Sequence, residues 1–252
     1  MARQSWQDRY EARFYTSRPG WIDGTTEFHH LIRAKFHPGE RILEIGSGPP
    51  NPTTDFLATL GEVHGIDPDP AILNNSALTS AAVLTGNTFP YSDNEFGLCV
   101  SNYVVEHVRD GPAHLAGVAR VLAPGGRYVF RTVNRYHYLG LVSAITPHWF
   151  HTLVANRARR LPAGSHDPYE TTYALNTKAA IKRAAASAGL SCENVTYVEK
   201  EPTYGRFSRL AYLAMTGYER VVNAVPKFAP LRVNLFVVLR KPRDRATLSD
   251  HV

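Results

Sequence analysis

The sequence has few of the residues that mark secreted, disulfide-stabilised or membrane-spanning proteins. Only two of its 252 residues are cysteine. Both, Cys99 and Cys192, lie in strand-like apolar stretches, which predicts inert core thiols and no disulfide. No apolar run approaches the roughly 18 residues that cross a bilayer, and the first ten residues, MARQSWQDRY, are polar where a signal peptide would be apolar. We therefore expect a cytoplasmic protein that does not bind a membrane.

The composition also lacks a strong bias. Apolar residues make up 44% of the chain and charged residues 20%, which are ordinary fractions for a globular protein and exclude fibrous and disordered classes. Much of the net charge of +6 lies in RARR at 157–160 and RKPRDR at 240–245. Solvated surface charge is the expected interpretation of both stretches, and binding of a polyanion is the alternative.

Short apolar runs alternate with helical patterns after residue 40. This order predicts an α/β fold in which helices cover both faces of a parallel sheet. We expect strands at 41–45, 62–66, 82–84, 95–101, 127–132, 192–198 and 234–240, and helices at 24–35, 52–60, 69–77, 110–122, 148–160, 176–188 and 207–223. Gly189 is expected to cap the helix that precedes it.

Two stretches lie outside this alternation. Residues 1–35 precede the first strand and are expected to form a helical flap. Residues 133–175 replace an ordinary connection, and because a structureless loop of that length is unusual, we expect a helical insertion that forms a lid or a ligand pocket. The chain is thus expected to form a single domain over residues 1–242, followed by a flexible tail at 243–252.

The segment RILEIGSGPPN at 41–51 places a glycine turn between a buried strand and a helix. Gly46 and Gly48 permit a tight turn and let a ligand approach the backbone, while the helix start offers free N–H groups. Phosphate, dinucleotide and nucleoside sites all use this device. The dinucleotide fingerprint also requires a third small residue, and this chain has Asn51 at that position, which disfavours a pyrophosphate ligand.

A carboxylate follows the second strand, in HGIDPDP. Asp67 lies roughly twenty residues after the glycine turn, where an acidic side chain accepts both hydroxyls of a ribose. This feature predicts a nucleoside site without distinguishing NAD from other cofactors. Capping of the following helix is the alternative role for Asp67, although Asp69 is better placed for it.

Two further segments complete the series of motifs: FPYSDNEFGLCVSNYVVEHV at 89–108 and RVLAPGGRYVF at 120–130. Together with EIGSG and GIDPD, in this order and spacing, they resemble the class I S-adenosylmethionine (SAM)-dependent methyltransferases over residues 40–132, particularly the ubiquinone-biosynthesis-like branch. The resemblance implies a Rossmann-like, seven-stranded and mostly parallel sheet with an antiparallel last strand, NLFVVLR. It also implies SAM as the cofactor and S-adenosylhomocysteine (SAH) as its product.

The resemblance further implies which residues hold the cofactor. Glu44, Gly46 and Gly48 are assigned to the methionine end of SAM, and Asp67 to the ribose. Asn87 and Thr88 are assigned to adenine, and Asn102 and Tyr103 to the surroundings of the transferring methyl group. Relatives that modify exocyclic amines of bases carry Asn or Asp, two prolines and an aromatic residue after the fourth strand. This chain has SNYV there, which argues against methylation of a nucleic-acid base or a protein glutamine.

Aromatic residues alternate with arginines in the N-terminal flap, WQDRYEARFYTSRPGW. We expect the ring of Tyr15 to meet the sulfonium cation of SAM, since an aromatic face attracts a cation. Packing of the flap helix against the rest of the domain is the alternative.

Candidate acceptor-binding and catalytic residues follow the fourth strand and continue through the insertion. A general base serves an acceptor that is a poorly ionised hydroxyl or an acidic carbon, and a neutral amine needs it less. The candidates are His107, His148, Glu170 and Tyr173. A histidine inside an apolar run is often a satisfied core residue, which is the alternative for His107, and Glu106 is expected on another face. His148 and His151 share a helix face but lack a third ligand, so no metal is expected.

These motifs predict methyl transfer from SAM to a hydroxyl, amine or carbon of a small metabolite. O-transfer is preferred because histidines and tyrosines are frequent in the expected pocket. Arg157, Arg159 and Arg160 are suited to a phosphate or carboxylate, so an anionic acceptor is one alternative. A non-catalytic SAM-binding protein and an RNA methyltransferase are the others, and nucleic acid is disfavoured because no base-reading motif accompanies the basic stretches.

Overall fold

Seven strands form one sheet. The computed structural model describes residues 5–86, 88–138 and 171–243. Its strands are β1 (Ile42–Ile45), β2 (Val63–Asp67), β3 (Ser80–Val83), β4 (Phe96–Asn102), β5 (Leu122–Val133), β6 (Ser191–Val198) and β7 (Asn234–Arg240). They lie side by side in the order β3-β2-β1-β4-β5-β7-β6. All seven predicted strands are present, and β5 begins earlier than expected because an irregular extension pairs Leu122 with Phe96.

Most of the sheet is parallel. β1 pairs in parallel with β2 and β4, β2 with β3, and β4 with β5. β7 runs antiparallel to β5, since Gly125 N–H donates to the carbonyl of Lys241 and Lys241 N–H donates to that of Gly126. The predicted α/β, Rossmann-like fold with an antiparallel last strand is therefore confirmed. The strand order reverses between β1 and β4, and ligands of open α/β sheets bind at such a point, beyond the carboxyl ends of the strands.

Helices connect most of the strands. They are α1 (Trp6–Glu11), α2 (Gly24–Lys35), α3 (Pro52–Ala58), α4 (Gly111–Val121), α5 (Lys178–Ser187) and α6 (Arg209–Ala224). Short 3₁₀ helices occupy Pro70–Asn74, Val105–His107, Thr203–Phe207 and Pro226–Leu231, and a π-helical turn follows α1 at Ala12–Thr16. The helix predicted at 148–160 lies outside the described residues.

The predicted helix at 69–77 is instead the short 3₁₀ helix Pro70–Asn74. Asp69 begins it by accepting a hydrogen bond from Ala71 N–H, as expected of the better-placed cap. It stops at Asn75 because the side-chain amide of Asn75 is held by the carbonyl of Gly48 and the hydroxyl of Thr54. A contact distant in sequence thus ends the helix before its apolar pattern does.

The central strands are buried on both faces, as expected for parallel strands between helices. All residues of β1 and β2 are buried, and α4 packs against α5. The predicted cap of α5 at Gly189 is confirmed: Gly189 has φ +73°, its N–H donates to Ala186 O, and Leu190 N–H donates to Ala185 O. Cys99 is buried in β4, as predicted for a core thiol, whereas Cys192 is half-exposed and the prediction that it is a core thiol is wrong; both are free thiols.

The described residues fall into two compact units. The sheet unit comprises those within 28–132, 171–196 and 235–252, and the helical unit comprises those within 1–27, 133–170 and 197–234. Residues 28–35 of the expected flap and 171–175 of the expected insertion thus belong to the sheet unit. No helix in the described part of the chain is long and apolar enough to span a membrane.

Candidate active site

The glycine turn after β1 is the starting point of the candidate site. Gly46 and Gly48 have φ of +74° and +54°, a left-handed conformation that favours glycine. A Cβ added to Gly46 would overlap the Cγ2 methyl of Val104 and lie 3.0 Å from its Cγ1. At Gly48 the nearest atom to an added Cβ is Asp67 Oδ2, at 3.8 Å. The turn is therefore tightly packed at its first glycine and open at its second.

Asn51 closes the turn where a dinucleotide site would have a third small residue. Its Oδ1 accepts hydrogen bonds from the N–H groups of Thr53 (2.9 Å) and Thr54 (3.2 Å), which begin α3. Its Nδ2 donates to the carbonyl of Ser47 at 2.7 Å. The side chain thus satisfies two of the free N–H groups at the helix start and fixes the turn that precedes it.

Glu44 is a buried carboxyl group beneath the turn. It is 3% exposed, and its Oε2 accepts a hydrogen bond of 2.7 Å from the hydroxyl of Thr54. Burial raises the pKa of Glu44 to about 7, with a further contribution from the negative charge of Asp67. A carboxyl group with a pKa of about 7 is partly protonated at neutral pH, and a cationic partner would favour its ionised form.

Asp67, at the end of β2, joins the second strand to the turn. One carboxylate oxygen accepts from Gly48 N–H at 2.9 Å, and the other accepts from Asp69 N–H at 2.8 Å. Burial raises its pKa, although both hydrogen bonds oppose that shift. Because Asp69 caps the following helix, Asp67 is not used as the cap. Each of its oxygens keeps acceptor capacity for a ligand hydroxyl.

Asn102 and Tyr103 follow β4 at the same edge of the sheet. Asn102 Nδ2 donates to the hydroxyl of Thr53 at 3.0 Å, and Asn102 Oδ1 accepts from Arg131 Nε at 2.7 Å. The guanidinium of Arg131 lies 4.3 Å from the ring centroid of Tyr103 and 5.3 Å from that of Phe28. Tyr103 has φ +57°, a strained backbone of the kind that collects at functional sites.

Glu106 is a second buried carboxyl group at this edge. Its Oε2 accepts from the hydroxyl of Thr132 at 2.8 Å, and burial raises its pKa. Its backbone carbonyl accepts from the N–H groups of Thr172 (2.8 Å) and Tyr173 (3.2 Å). Tyr173, a predicted catalytic residue, is thereby held beside the 3₁₀ helix Val105–His107.

Arg131 and Glu106 are functional candidates that the sequence patterns did not identify. Arg131 is 4% exposed. A charged residue within the largely apolar strand YVFRTV was the feature of the sequence that could have identified it. Glu106 is 4% exposed, whereas its neighbour His107, the predicted base, is half-buried. This difference in burial agrees with the expectation that the side chains of Glu106 and His107 lie on different faces.

The structure brings together part of the predicted set. Glu44, Gly46, Gly48 and Asp67 surround one turn, and Asn102 is joined to that turn through Thr53 of α3. Thr88 is exposed after β3. Asn87, His148 and Glu170 lie outside the described residues.

Tyr15 lies in the helical unit. It is 2% exposed, with its hydroxyl 3.4 Å from both Thr216 Oγ1 and Glu219 Oε2 and the guanidinium of Arg220 5.2 Å from its ring centroid. The ring of Tyr15 therefore already has the Arg220 guanidinium over it, and it packs against Trp21 and Tyr212. These contacts agree with the packing alternative, and a contact with the sulfonium stays a prediction.

Comparison of sequences relates the chain to methyltransferases. Residues 43–130 match a family model described as a methyltransferase domain. Ubiquinone biosynthesis O-methyltransferase of Paraburkholderia phymatum is 29% identical over 203 residues, which cover 70% of this chain and 82% of that protein. Malonyl-[acyl-carrier protein] O-methyltransferase of Serratia marcescens is 33% identical over 106 residues, or 38% of this chain and 40% of that protein.

Solved structures show the same architecture. The geranyl diphosphate C-methyltransferase of Streptomyces coelicolor A3(2), in complex with Mg²⁺, geranyl diphosphate and SAH, matches with a TM-score of 0.54 and 15% identity. The match covers 86% of this chain and 79% of that one. At this identity the likeness concerns the fold alone.

Proposed function

Because this chain is a class I SAM-dependent methyltransferase, we propose that it methylates an oxygen atom of a small-molecule acceptor. The observation that carries the proposal is the match to an O-methyltransferase over 82% of that relative's length. The cofactor is SAM, which supplies a methyl group made electrophilic by its sulfonium sulfur. The chain's own residues have to bind it, orient the acceptor and exclude water.

The described residues fit this cofactor. SAM carries an ammonium group and a carboxylate at its methionine end and two hydroxyls on its ribose, and the turn brings two buried carboxyl groups, Glu44 and Asp67, to one place. Glu44 is suited to the ammonium group and Asp67 to the ribose hydroxyls. Gly48 leaves open space beside the backbone for the ligand between them.

Asn102, Tyr103 and Arg131 are the proposed acceptor-facing group. The amide of Asn102 is held at both ends, by Thr53 and by Arg131, so its orientation is fixed before an acceptor arrives. Fixed groups cost little reorganisation during the reaction. His107 and the carboxyl group of Glu106 are the nearby candidates to take the proton of a hydroxyl acceptor.

The test is formation of SAH and of a methylated product from a panel of small hydroxyl, carboxylic acid, amine and carbon-acid acceptors, identified by mass spectrometry. The expected result is a methyl ether or ester, with Glu106→Gln or His107→Gln lowering turnover about 100-fold for whichever is the base, the usual contribution of general acid–base catalysis. Products methylated only on nitrogen or carbon would contradict O-transfer. SAM binding without turnover would favour a non-catalytic SAM-binding protein. Methylation of RNA would favour an RNA methyltransferase.

The raised pKa of Glu44 predicts that SAM affinity depends on pH. Glu44, with a pKa of about 7, must lose a proton to face the ammonium group, so affinity should rise up to about tenfold per pH unit from pH 5 to 7 and level off above 8. Calorimetry in two buffers of different ionisation enthalpy should show release of a proton on binding at pH 6.

Two variants control this experiment. Glu44→Gln should flatten the pH dependence. Glu201→Gln should preserve it, although burial also raises the pKa of Glu201, in the helical unit, to about 7. An unchanged slope in Glu44→Gln would remove Glu44 from the ammonium site.

A further inference from the structure

A cleft of about 390 Å³ opens at the amino-terminal edge of the sheet. Arg41 precedes β1, Arg127 pairs with Leu98 near the start of β4, and Arg240 ends β7. Because β7 is antiparallel, its last residue reaches the edge at which β5 begins, where Arg243 also lines the cleft. Four arginines from distant parts of the chain therefore meet in one place, and two of them belong to the basic stretch at 240–245.

This cleft is separate from the candidate active site. β1 runs from the cleft at Arg41 to the glycine turn at Gly46, and its four residues, at roughly 3.3 Å each, put about 13 Å between the two edges. The cleft lies wholly within the sheet unit and uses no residue assigned to SAM.

Carboxylates accompany the arginines around the cleft, and two of them, Glu40 and Glu95, belong to its lining. Arg41 is paired with Glu95 at 2.7 Å and with Glu62 at 3.9 Å. One carboxylate, Glu193, is shared by Lys35 (3.3 Å), Arg127 (3.4 Å) and Arg240 (3.8 Å). This crowding of cations lowers the pKa of Glu193, although burial opposes the shift.

Two of the arginines retain capacity for a ligand. Arg243 forms no ion pair with any residue that the structure describes. The Nε of Arg240 is buried without a hydrogen-bond partner, again within the described part of the chain. A buried donor without an acceptor is costly, so the guanidinium of Arg240, which lines the cleft, lacks one of its acceptors.

Glycines form the wall of the cleft beside these side chains. Gly125 has φ +87°, and a Cβ added to it would lie 2.9 Å from Arg243 Nε. A Cβ at Gly126 would lie 2.8 Å from the carbonyl of Ala123. The absence of a side chain at Gly125 lets the side chain of Arg243 lie directly against the backbone there.

We infer that this cleft binds the phosphate group of a small molecule. The planar guanidinium donates two parallel hydrogen bonds to phosphate oxygens, and its charge matches the anion. A volume of about 390 Å³ falls in the range of small-molecule sites and exceeds what a single ion needs. The ligand is held away from the methyl-transfer site, so it acts as an effector or an anchor rather than as the acceptor.

Inorganic pyrophosphate is the probe, titrated calorimetrically into the full-length protein at low and at physiological salt. Arg243→Gln is the main variant because Arg243 has no described ion pair to lose, and we expect it to weaken pyrophosphate binding at least tenfold while leaving SAM affinity unchanged. Arg240→Gln should weaken binding by a similar factor. Arg183→Gln, at an exposed position of α5 in the same unit, removes the same charge and should leave binding unchanged.

Three results would overturn the inference. Pyrophosphate that does not bind would do so, as would equal losses in Arg243→Gln and Arg183→Gln, which would indicate only an effect of net charge. Binding of a single-stranded RNA oligonucleotide through Arg240 and Arg243, with no binding of pyrophosphate, would show that the cleft serves a polymer instead. Thermal unfolding of each variant shows whether a loss of binding comes from a loss of folded protein.

Discussion

Replacing Gly46 by alanine is expected to abolish measurable SAM binding and to destabilise the protein by about 2–5 kcal/mol. A left-handed conformation costs an alanine about 1–2 kcal/mol, and overpacking adds about 1–3 kcal/mol. The added methyl group overlaps Val104, so either the turn or the loop after β4 has to move. Because both contribute to the candidate site, a shift of either removes the surface that SAM contacts. Urea unfolding and calorimetric titration of SAM measure the two effects.

Gly48→Ala is the matched control for Gly46→Ala. Gly48 is also left-handed, but an added Cβ meets nothing closer than 3.8 Å. Its cost to stability should be only about 1–2 kcal/mol, from backbone strain alone. In the double variant Gly46→Ala/Val104→Ala the overlap is relieved, and stability should return toward that of Gly48→Ala. Equal stability of the two single variants would show that the contact with Val104 is unimportant.

Asp67→Ala should weaken SAM and SAH by the same factor, roughly 10- to 150-fold. One hydrogen bond from a ribose hydroxyl to a carboxylate is worth about 1.5–3 kcal/mol, which corresponds to about 10- to 150-fold in affinity. Because the ribose is common to SAM and SAH, the ratio of their affinities should not change. Titration of both ligands into the variant checks the size and the equality of the losses.

Asp69→Asn provides the comparison for Asp67→Ala. It removes a neighbouring negative charge but keeps the oxygen that caps the helix Pro70–Asn74, so SAM affinity should stay within about twofold of the original. A large loss in Asp69→Asn, or unequal losses of SAM and SAH in Asp67→Ala, would be evidence against the ribose assignment.

Local patterns were sufficient to predict most elements of the sheet unit. Apolar runs located all seven strands, and a 3.6-residue period located α2 with the bounds found in the structure. Gly189 and Asp69 act as caps because capping depends on neighbours within a few residues. The glycine turn and Asp67 were also found from spacing, since consecutive βα units bring them to one edge of the sheet.

Contacts between distant residues were beyond these patterns. The hydrogen bond from Arg131 to Asn102 depends on the pairing of β4 with β5, which places the two residues opposite each other. Similarly, Asn75 ends a helix early because it binds the glycine turn. Tyr15 packs against Thr216, some two hundred residues away in sequence. Spacing cannot indicate such partners, because they are determined by the order of the strands and by packing between elements that are far apart in sequence.

The hydroxyl of Thr53 has a kinetic consequence. Thr53 lies in the first turn of α3, directly after the segment proposed to hold SAM. Its hydroxyl also accepts a hydrogen bond from the side-chain amide of Asn102, which is proposed to face the acceptor. SAM bound at the start of α3 would fix the position of Thr53 and, through its hydroxyl, the orientation of the Asn102 amide that faces the acceptor. The two substrates should therefore add in a compulsory order, with SAM first, and SAH should compete with SAM but not with the acceptor. In Thr53→Val, which keeps the shape but not the hydroxyl, addition should become random.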